Sequence, residues 1–285
     1  MIGLLICSLI LAEPVKMHGS PKQVAPATHM VSSNNFPKRY QAKTVMNPPK
    51  GFSEKVMALT FDDGPSPFTT PKILDSLKKR NMKATFFLVG QMVQHREKIV
   101  QRIVAEGHDL ANHTNSHPMW PNAAKAAMEL DLPAKRIKDA VGFTPQLFRP
   151  PYGNLKATTT ALARKRMMPI IYWTGTGGDT ATHSPQRVAN AAIAGIRPGA
   201  IILLHDIQPH TMRAVPAILD AAKKKGFTLV TVSELLRKYE EYEIAHPKPV
   251  TPPKPEKSAK PIKGKVAATK KAFAKSKPVA TATKA

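Results

Sequence analysis

Five short stretches of the chain carry side chains able to do chemistry. Thr60-Phe61-Asp62-Asp63-Gly64-Pro65 puts two adjacent carboxylates at the end of an apolar run, just before a turn. Neighbours leaving a strand point in different directions, so one carboxylate can bind a cation while the other accepts a proton. Asp-Asp-Gly-Pro is equally ordinary turn chemistry. The stretch His113-Thr114-Asn115-Ser116-His117-Pro118 sets two imidazoles four residues apart. On one helical turn they would face the same way and could chelate one ion, with Pro118 ending the turn. Joined to a carboxylate such as Asp63, they complete a three-ligand set with an open position, as expected of a hydrolytic metal centre. In Phe148-Arg149-Pro150-Pro151-Tyr152-Gly153 the double proline stiffens the backbone and fixes where Arg149 and the amide of Tyr152 point. The glycines of Tyr172-Trp173-Thr174-Gly175-Thr176-Gly177-Gly178-Asp179 suggest unusual backbone angles or close approach to a ligand. Leu203-Leu204-His205-Asp206 places a histidine just past an apolar strand.

The elements that must position these residues are repeated βα units. Short apolar runs alternate with helical patterns between Val56 and Tyr242, which predicts an α/β fold with a mainly parallel sheet. Strands are expected at 56–61, 84–89, 109–112, 146–149, 169–173, 200–204 and 228–231. Ile99, Val100, Ile103 and Val104 share one helical face, and Val215, Ile218, Leu219 and Ala222 another. Gly107 and Gly226 sit where left-handed helix caps would fall. Seven strands fit a barrel one unit short of eight, or an open doubly wound sheet. Asp62-Asp63, His113 and His205-Asp206 follow their strands directly and Arg149 ends one, which favours the barrel, because its strand ends converge on one mouth.

In this order the five stretches resemble the polysaccharide deacetylases of the NodB-homology type, carbohydrate esterase family four. The resemblance runs from about Lys55 to Leu236 and includes Ala84-Thr85-Phe86-Phe87-Leu88-Val89-Gly90, with Gly107-His108-Asp109 leading into Asn112-His113. It implies a distorted seven-stranded (β/α) barrel with a metal at its mouth. Carried over position by position, it implies Asp63, His113 and His117 as metal ligands and Asp62 as general base. Arg149 would hold Asp62 in its ionised, oriented state, His205 would be the general acid, and Tyr152 would lend its N–H to an oxyanion hole. The fourth stretch departs from the family pattern: Thr176 stands where an Asp is common and Thr180 where a second Trp is expected. That leaves Asp179 as the partner tuning His205, and one wall of the substrate groove altered.

The implied activity is metal-dependent N-deacetylation of an amino-sugar polymer, with N-acetylglucosamine of peptidoglycan first. An O-acetyl esterase of the xylan type and a chitin-oligosaccharide deacetylase are the enzymatic alternatives. A catalytically inactive glycan- or polyanion-binding protein is the alternative of another class. Two His and one Asp suit zinc, with cobalt, nickel or manganese able to use the same set. Cys7 is the only cysteine and lies in the opening apolar run, so neither disulfides nor thiolate metal sites are available to a form lacking that run.

Residues 1–12 read as a secretory signal segment, too short to span a bilayer, although no Lys or Arg precedes the run. Export to the periplasm, the cell wall or the medium follows as the expectation, with no transmembrane helix in the mature form. The Pro-, Ser- and Asn-rich stretch 13–54 reads as a linker, 55–242 as the deacetylase domain, and 243–285 as a disordered basic tail. The formal charge is +24, and eleven Lys against Glu256 make the segment from Pro247 onward +10 of it. Such a polycation could dwell on an anionic envelope polymer, or simply solvate. Nucleic-acid binding rests on charge alone, with no recognisable reading module.

Overall fold

The structure is a computed structural model that describes residues 36–247. The signal segment and the basic tail from residue 248 onward fall outside the described residues. In chain order the elements are β1 (Thr44–Val45), β2 (Val56–Asp62), α1 (Thr70–Lys79), β3 (Thr85–Leu88), α2 (Gly90–Val93), α3 (Glu97–Ala105), β4 (Asp109–Asn112) and α4 (Ala123–Val141). There follow α5 (Thr158–Lys165), β5 (Ile170–Ile171), β6 (Gly175–Thr176), α6 (Pro185–Ala194), β7 (Ala200–His205), α7 (Pro209–Lys224), β8 (Thr228–Leu229) and α8 (Val232–Ala245). Every strand pair is parallel. The order across the main sheet is β4-β3-β2-β7-β6, with β8 also on β2, while β1 pairs with β5.

The central strand β2 shows how period-2 alternation sorts the chain. Met57, Leu59 and Phe61 face the larger core, with α1, α3, α6 and α7 packed over them. Val56 and Ala58 join the second core with Phe87, Ala111, Leu147, Ile171 and Ile201. The register pairs Asp62 of β2 with His205 of β7, so two of the five stretches are neighbours by hydrogen-bonding alone.

The expected strand at 146–149 is reduced to isolated bridges, Asn112 to Phe148 and Phe148 to Ile170. Pro150 and Pro151 have no N–H with which to carry the ladder on. The described strands therefore form parallel sheets joined through single bridges at Phe148, rather than a regularly closed barrel. Two short strands, β1 and β6, were not expected.

The expected linker also needs correction over its described part. Residues 36–54 contain β1 and a 3₁₀ turn at Lys38–Tyr40, and Val45 and Phe52 are buried in the second core. Phe52 meets the edges of Tyr239 and Tyr242 at 5.1 and 5.5 Å. This segment adds a strand alongside β5 and packs against α8, and the chain's folded body begins before residue 55. At the other end α8 runs to Ala245, past the expected boundary at 242.

Candidate active site

Asp62 ends β2 with its side chain on the inner face, and Asp63 follows in the left-handed region at φ 75°. The two carboxylates do not diverge as the sequence suggested: Asp62 Oδ2 lies 3.6 Å and Asp63 Oδ1 3.4 Å from the same His113 Nε2. A cis Gly64-Pro65 bond then turns the chain towards α1. A Cβ at Gly64 would lie 2.2 Å from the Asp206 carboxylate, so only glycine fits there. Asp206 is fully buried and accepts hydrogen bonds from the Thr70 hydroxyl at its carboxylate and from the Thr69 hydroxyl at its carbonyl. It supports the Asp62–Asp63 turn from beneath.

The two histidines do not share a helical turn. Residues 113–118 form a loop after β4 in which Thr114 (φ 68°) and His117 (φ 56°) are left-handed, and the two reversals bring the rings to 5.0 Å between centroids. Asp63 Oδ1 lies 3.4 Å from His113 Nε2 and 3.2 Å from His117 Nε2. Among the described residues these three are the group whose ligand atoms converge enough to hold a metal ion.

The donor set fits a cation. His113 Nδ1 is 2.7 Å from the Arg149 carbonyl, which can only accept, so that nitrogen carries the proton and Nε2 presents its lone pair to Asp63. Asp63 Oδ1 is buried with no hydrogen-bond partner. Burial pushes the Asp63 carboxyl up, but positive charge on the imidazoles beside it, His113 first and then His117 and His205, holds it down at about 2 when they are protonated; a bound cation would supply that charge in their place. Burial and the neighbouring His113 lower His117, which favours its neutral, ligating form. Lone pairs and a carboxylate thus face one another across a gap that a positive ion would fill.

Arg149 is fully buried, with its guanidinium 4.0 Å above the Phe87 ring. It donates to Asp62 Oδ1 at 2.7 Å, to Thr60 Oγ1 at 2.9 Å and to the carbonyls of Ile171 and Tyr172 at 3.0 and 3.2 Å. Asp62 Oδ2 is left facing the metal cluster, 3.6 Å from His113 Nε2. Tyr152 is left-handed (φ 56°) in a turn at Pro151–Gly153, is 60% exposed, and sets its ring edge-on to His117 at 4.6 Å.

On the opposite side His205 Nδ1 lies 2.9 Å from Asp179 Oδ1, and the His205 N–H donates to Asp179 Oδ2 at 2.7 Å. Burial works against the imidazolium, but the Asp179 hydrogen bond and charge, backed by Asp62 and Asp63, raise His205 to about 9. The glycine-rich stretch makes room for this: a Cβ at Gly177 would lie 2.3 Å from Leu204. Thr176 and Thr180, at the two departing positions, are both exposed.

Two supporting residues escaped the sequence reading. Thr211, in the first turn of α7, donates to Asp179 Oδ2 at 2.6 Å, and Thr60 bridges Arg149 to the Ile202 carbonyl at 2.8 Å. Thr60 had a detectable signal, as a polar residue two before Asp62 on the inward face of an apolar strand.

Comparison with known proteins places these features. A sequence profile described as polysaccharide deacetylase matches residues 50–170. The chain is 36% identical over 229 residues to the peptidoglycan-N-acetylglucosamine deacetylase PgdA of Listeria monocytogenes, covering 78% of this chain and 48% of that protein. It thus spans about half the length of that relative. A peptidoglycan-N-acetylglucosamine deacetylase of Bacillus cereus is 36% identical over 191 residues, covering 65% of this chain and 90% of the relative. The solved structure of the peptidoglycan deacetylase PdaC from Bacillus subtilis superposes with a TM-score of 0.63 at 34% identity, covering 67% of this chain and 94% of that one.

Proposed function

The chain belongs to the polysaccharide deacetylase family, and from that premise we propose that it removes acetyl groups from N-acetylglucosamine units of an envelope glycan, peptidoglycan first. The observation that carries the proposal is the buried, unpartnered Asp63 Oδ1 facing two imidazole nitrogens, with an arginine-held carboxylate on one side and a raised histidine on the other.

Asp63, His113 and His117 would hold zinc, our first choice among divalent ions for two imidazoles and a carboxylate. When bound, such an ion polarises the acetamide carbonyl and lowers the pKa of water beside it from 15.7 toward about 7. Asp62 is the general base: Arg149 occupies Oδ1, so Oδ2 takes the proton of the attacking water. The Tyr152 N–H donates to the carbonyl oxygen as its charge grows, and a donor so placed contributes about 2.7–4 kcal/mol. His205, positively charged at neutral pH and held at Nδ1 by Asp179, gives its other ring proton to the departing amine. Acetate and a glucosamine unit are released.

An envelope substrate is supported by the names of the relatives and by the apolar run at residues 4–12, read as an export signal. No helix among the described residues is long and apolar enough to cross a membrane. The eleven lysines from Lys248 onward give an electrostatic reason for dwelling on an anionic wall polymer.

Acetate release from N-acetylated glucosamine oligomers, O-acetylated xylan oligomers and purified peptidoglycan tests the proposal. Turnover of the first and third is expected, with Asp62→Asn keeping zinc but losing turnover. Activity on the ester alone would overturn the substrate assignment.

A further inference from the structure

The loop between the two histidines is anchored by a residue outside all five sequence stretches. Glu129, on α4, is 8% exposed and sends its carboxylate into that loop. Oε2 accepts the N–H groups of Asn115 at 2.8 Å and Ser116 at 2.9 Å, and Oε1 accepts the Ser116 hydroxyl at 2.7 Å. The loop needs such an anchor. Its left-handed residues, Thr114 and His117, are not glycines, so the surroundings must hold their strained backbone in place. Within the loop, Thr114 N–H reaches Asn112 Oδ1 at 2.9 Å and His117 N–H reaches Thr114 Oγ1 at 3.1 Å. Both of these tie the loop to itself or to the end of β4; from the scaffold, the Gly90 and Gln91 N–H groups of α2 hold the Thr114 and Asn115 carbonyls at 2.9 Å each, and Glu129 of α4 holds the loop's own amides.

The helix that carries Glu129 is itself bolted in place. Asn112 Nδ2 donates to the Leu130 carbonyl at 2.9 Å, and Arg136, farther along α4, donates to Asn115 Oδ1 at 2.5 Å. A charged carboxylate on the buried side of a helix is expensive to desolvate, so an apolar side chain would suit the packing better. What the carboxylate adds is two fixed amides midway between His113 and His117.

We infer that Glu129 is a positioning residue for metal binding: it holds the 113–117 loop in the shape that brings both imidazoles to Asp63. The inference rests on the metal reading of that cluster.

The test measures zinc affinity of the metal-free, full-length protein by competition with a chromogenic chelator, alongside its melting temperature. Glu129→Ala removes all three bonds and is expected to weaken zinc binding about 10–100-fold, the range for a lost partner behind the ligands. Glu129→Gln stays close to wild type, because its amide oxygen accepts both N–H groups while its NH₂ donates to the Ser116 hydroxyl. Asn122→Ala removes the cap of the same helix, where Asn122 Oδ1 accepts the Lys125 N–H, and is expected to lower the melting temperature with zinc affinity unchanged. Ser116→Ala, which deletes one bond and leaves α4 intact, weakens zinc in the same direction by less and serves if Glu129→Ala does not fold.

Unchanged affinity in Glu129→Ala, or in Ser116→Ala when it stands alone, overturns the inference while leaving the metal site in place. So does an equal loss in Asn122→Ala, which would mark Glu129 as a stability residue. A wild-type protein that binds no zinc removes the metal reading and this inference together.

Discussion

An Asp179→Asn substitution isolates the cause of the raised His205 pKa. In the wild-type protein burial disfavours the imidazolium, yet the hydrogen bond and charge of Asp179, helped by Asp62 and Asp63, lift the group from 6.5 to about 9. Asparagine keeps the volume and loses the charge, leaving burial opposed only by the two other carboxylates. Losing the whole elevation returns the pKa to about 6.5, roughly 3.4 kcal/mol at 1.36 kcal/mol per pKa unit. The His205 side chain is only 15% exposed, so solvent screens little of this. At pH 7 the imidazolium share falls from about 99% to about a quarter. NMR titration of His205 in the metal-free protein reads the pKa directly, and the basic limb of the kcat profile is expected to move down with it. Stability gives a second readout. A folded pKa above the unfolded one contributes fully below pH 6.5, and the contribution is lost as pH rises through 9. Wild type should therefore lose stability across that interval, and the variant should not. A variant in which His205 still titrates near 9 refutes the reasoning.

Phe52→Ala is expected to destabilise the protein by about 3–5 kcal/mol in urea unfolding, the cost of truncating a buried phenylalanine, where a true linker position would change little. Gly64→Ala drives a methyl into the Asp206 carboxylate and should cost at least the ~1–3 kcal/mol of ordinary overpacking, with zinc affinity falling as Asp63 is displaced. Burial, ahead of the charges of Asp63 and Asp62, raises Asp206 to about 7 against the pull of the Thr70 hydrogen bond. Because the unfolded chain ionises near 3.8, the folded wild type loses stability as pH rises from 4 to 7, and Asp206→Asn should gain on it over that interval by up to about 4 kcal/mol in metal-free unfolding curves.

The candidate site was legible because its residues sit at strand ends. Asp62 and His205 end adjacent parallel strands in register, and His113 follows the last residue of β4, so a reading of apolar runs already implied that they meet. The helices were legible for the same reason, with Val215, Ile218, Leu219 and Ala222 all buried on α7 and Gly107 and Gly226 in left-handed caps. What depends on irregular backbone was not legible. The imidazole pair is assembled by left-handed Thr114 and His117, and nothing in a His-x₃-His spacing distinguishes that loop from a turn of helix. The folded part of segment 36–54 was hidden because Val45 and Phe52 are isolated apolar residues among Pro, Ser and Asn whose partners lie far along the chain, Ile171 of β5 for Val45 and Tyr239 and Tyr242 of α8 for Phe52. Glu129 and Thr211 look like surface residues of helices, since their partners lie on loops that periodicity does not describe.

The central claim is that one ion sits among Asp63, His113 and His117. An anomalous-scattering map at the zinc edge, from crystals of the zinc-loaded protein, tests it most directly. The account predicts a single peak about 2.0–2.2 Å from Asp63 Oδ1, His113 Nε2 and His117 Nε2, with at least one coordination position left for solvent or substrate. A peak elsewhere, or one bound by fewer than these three side chains, would contradict it.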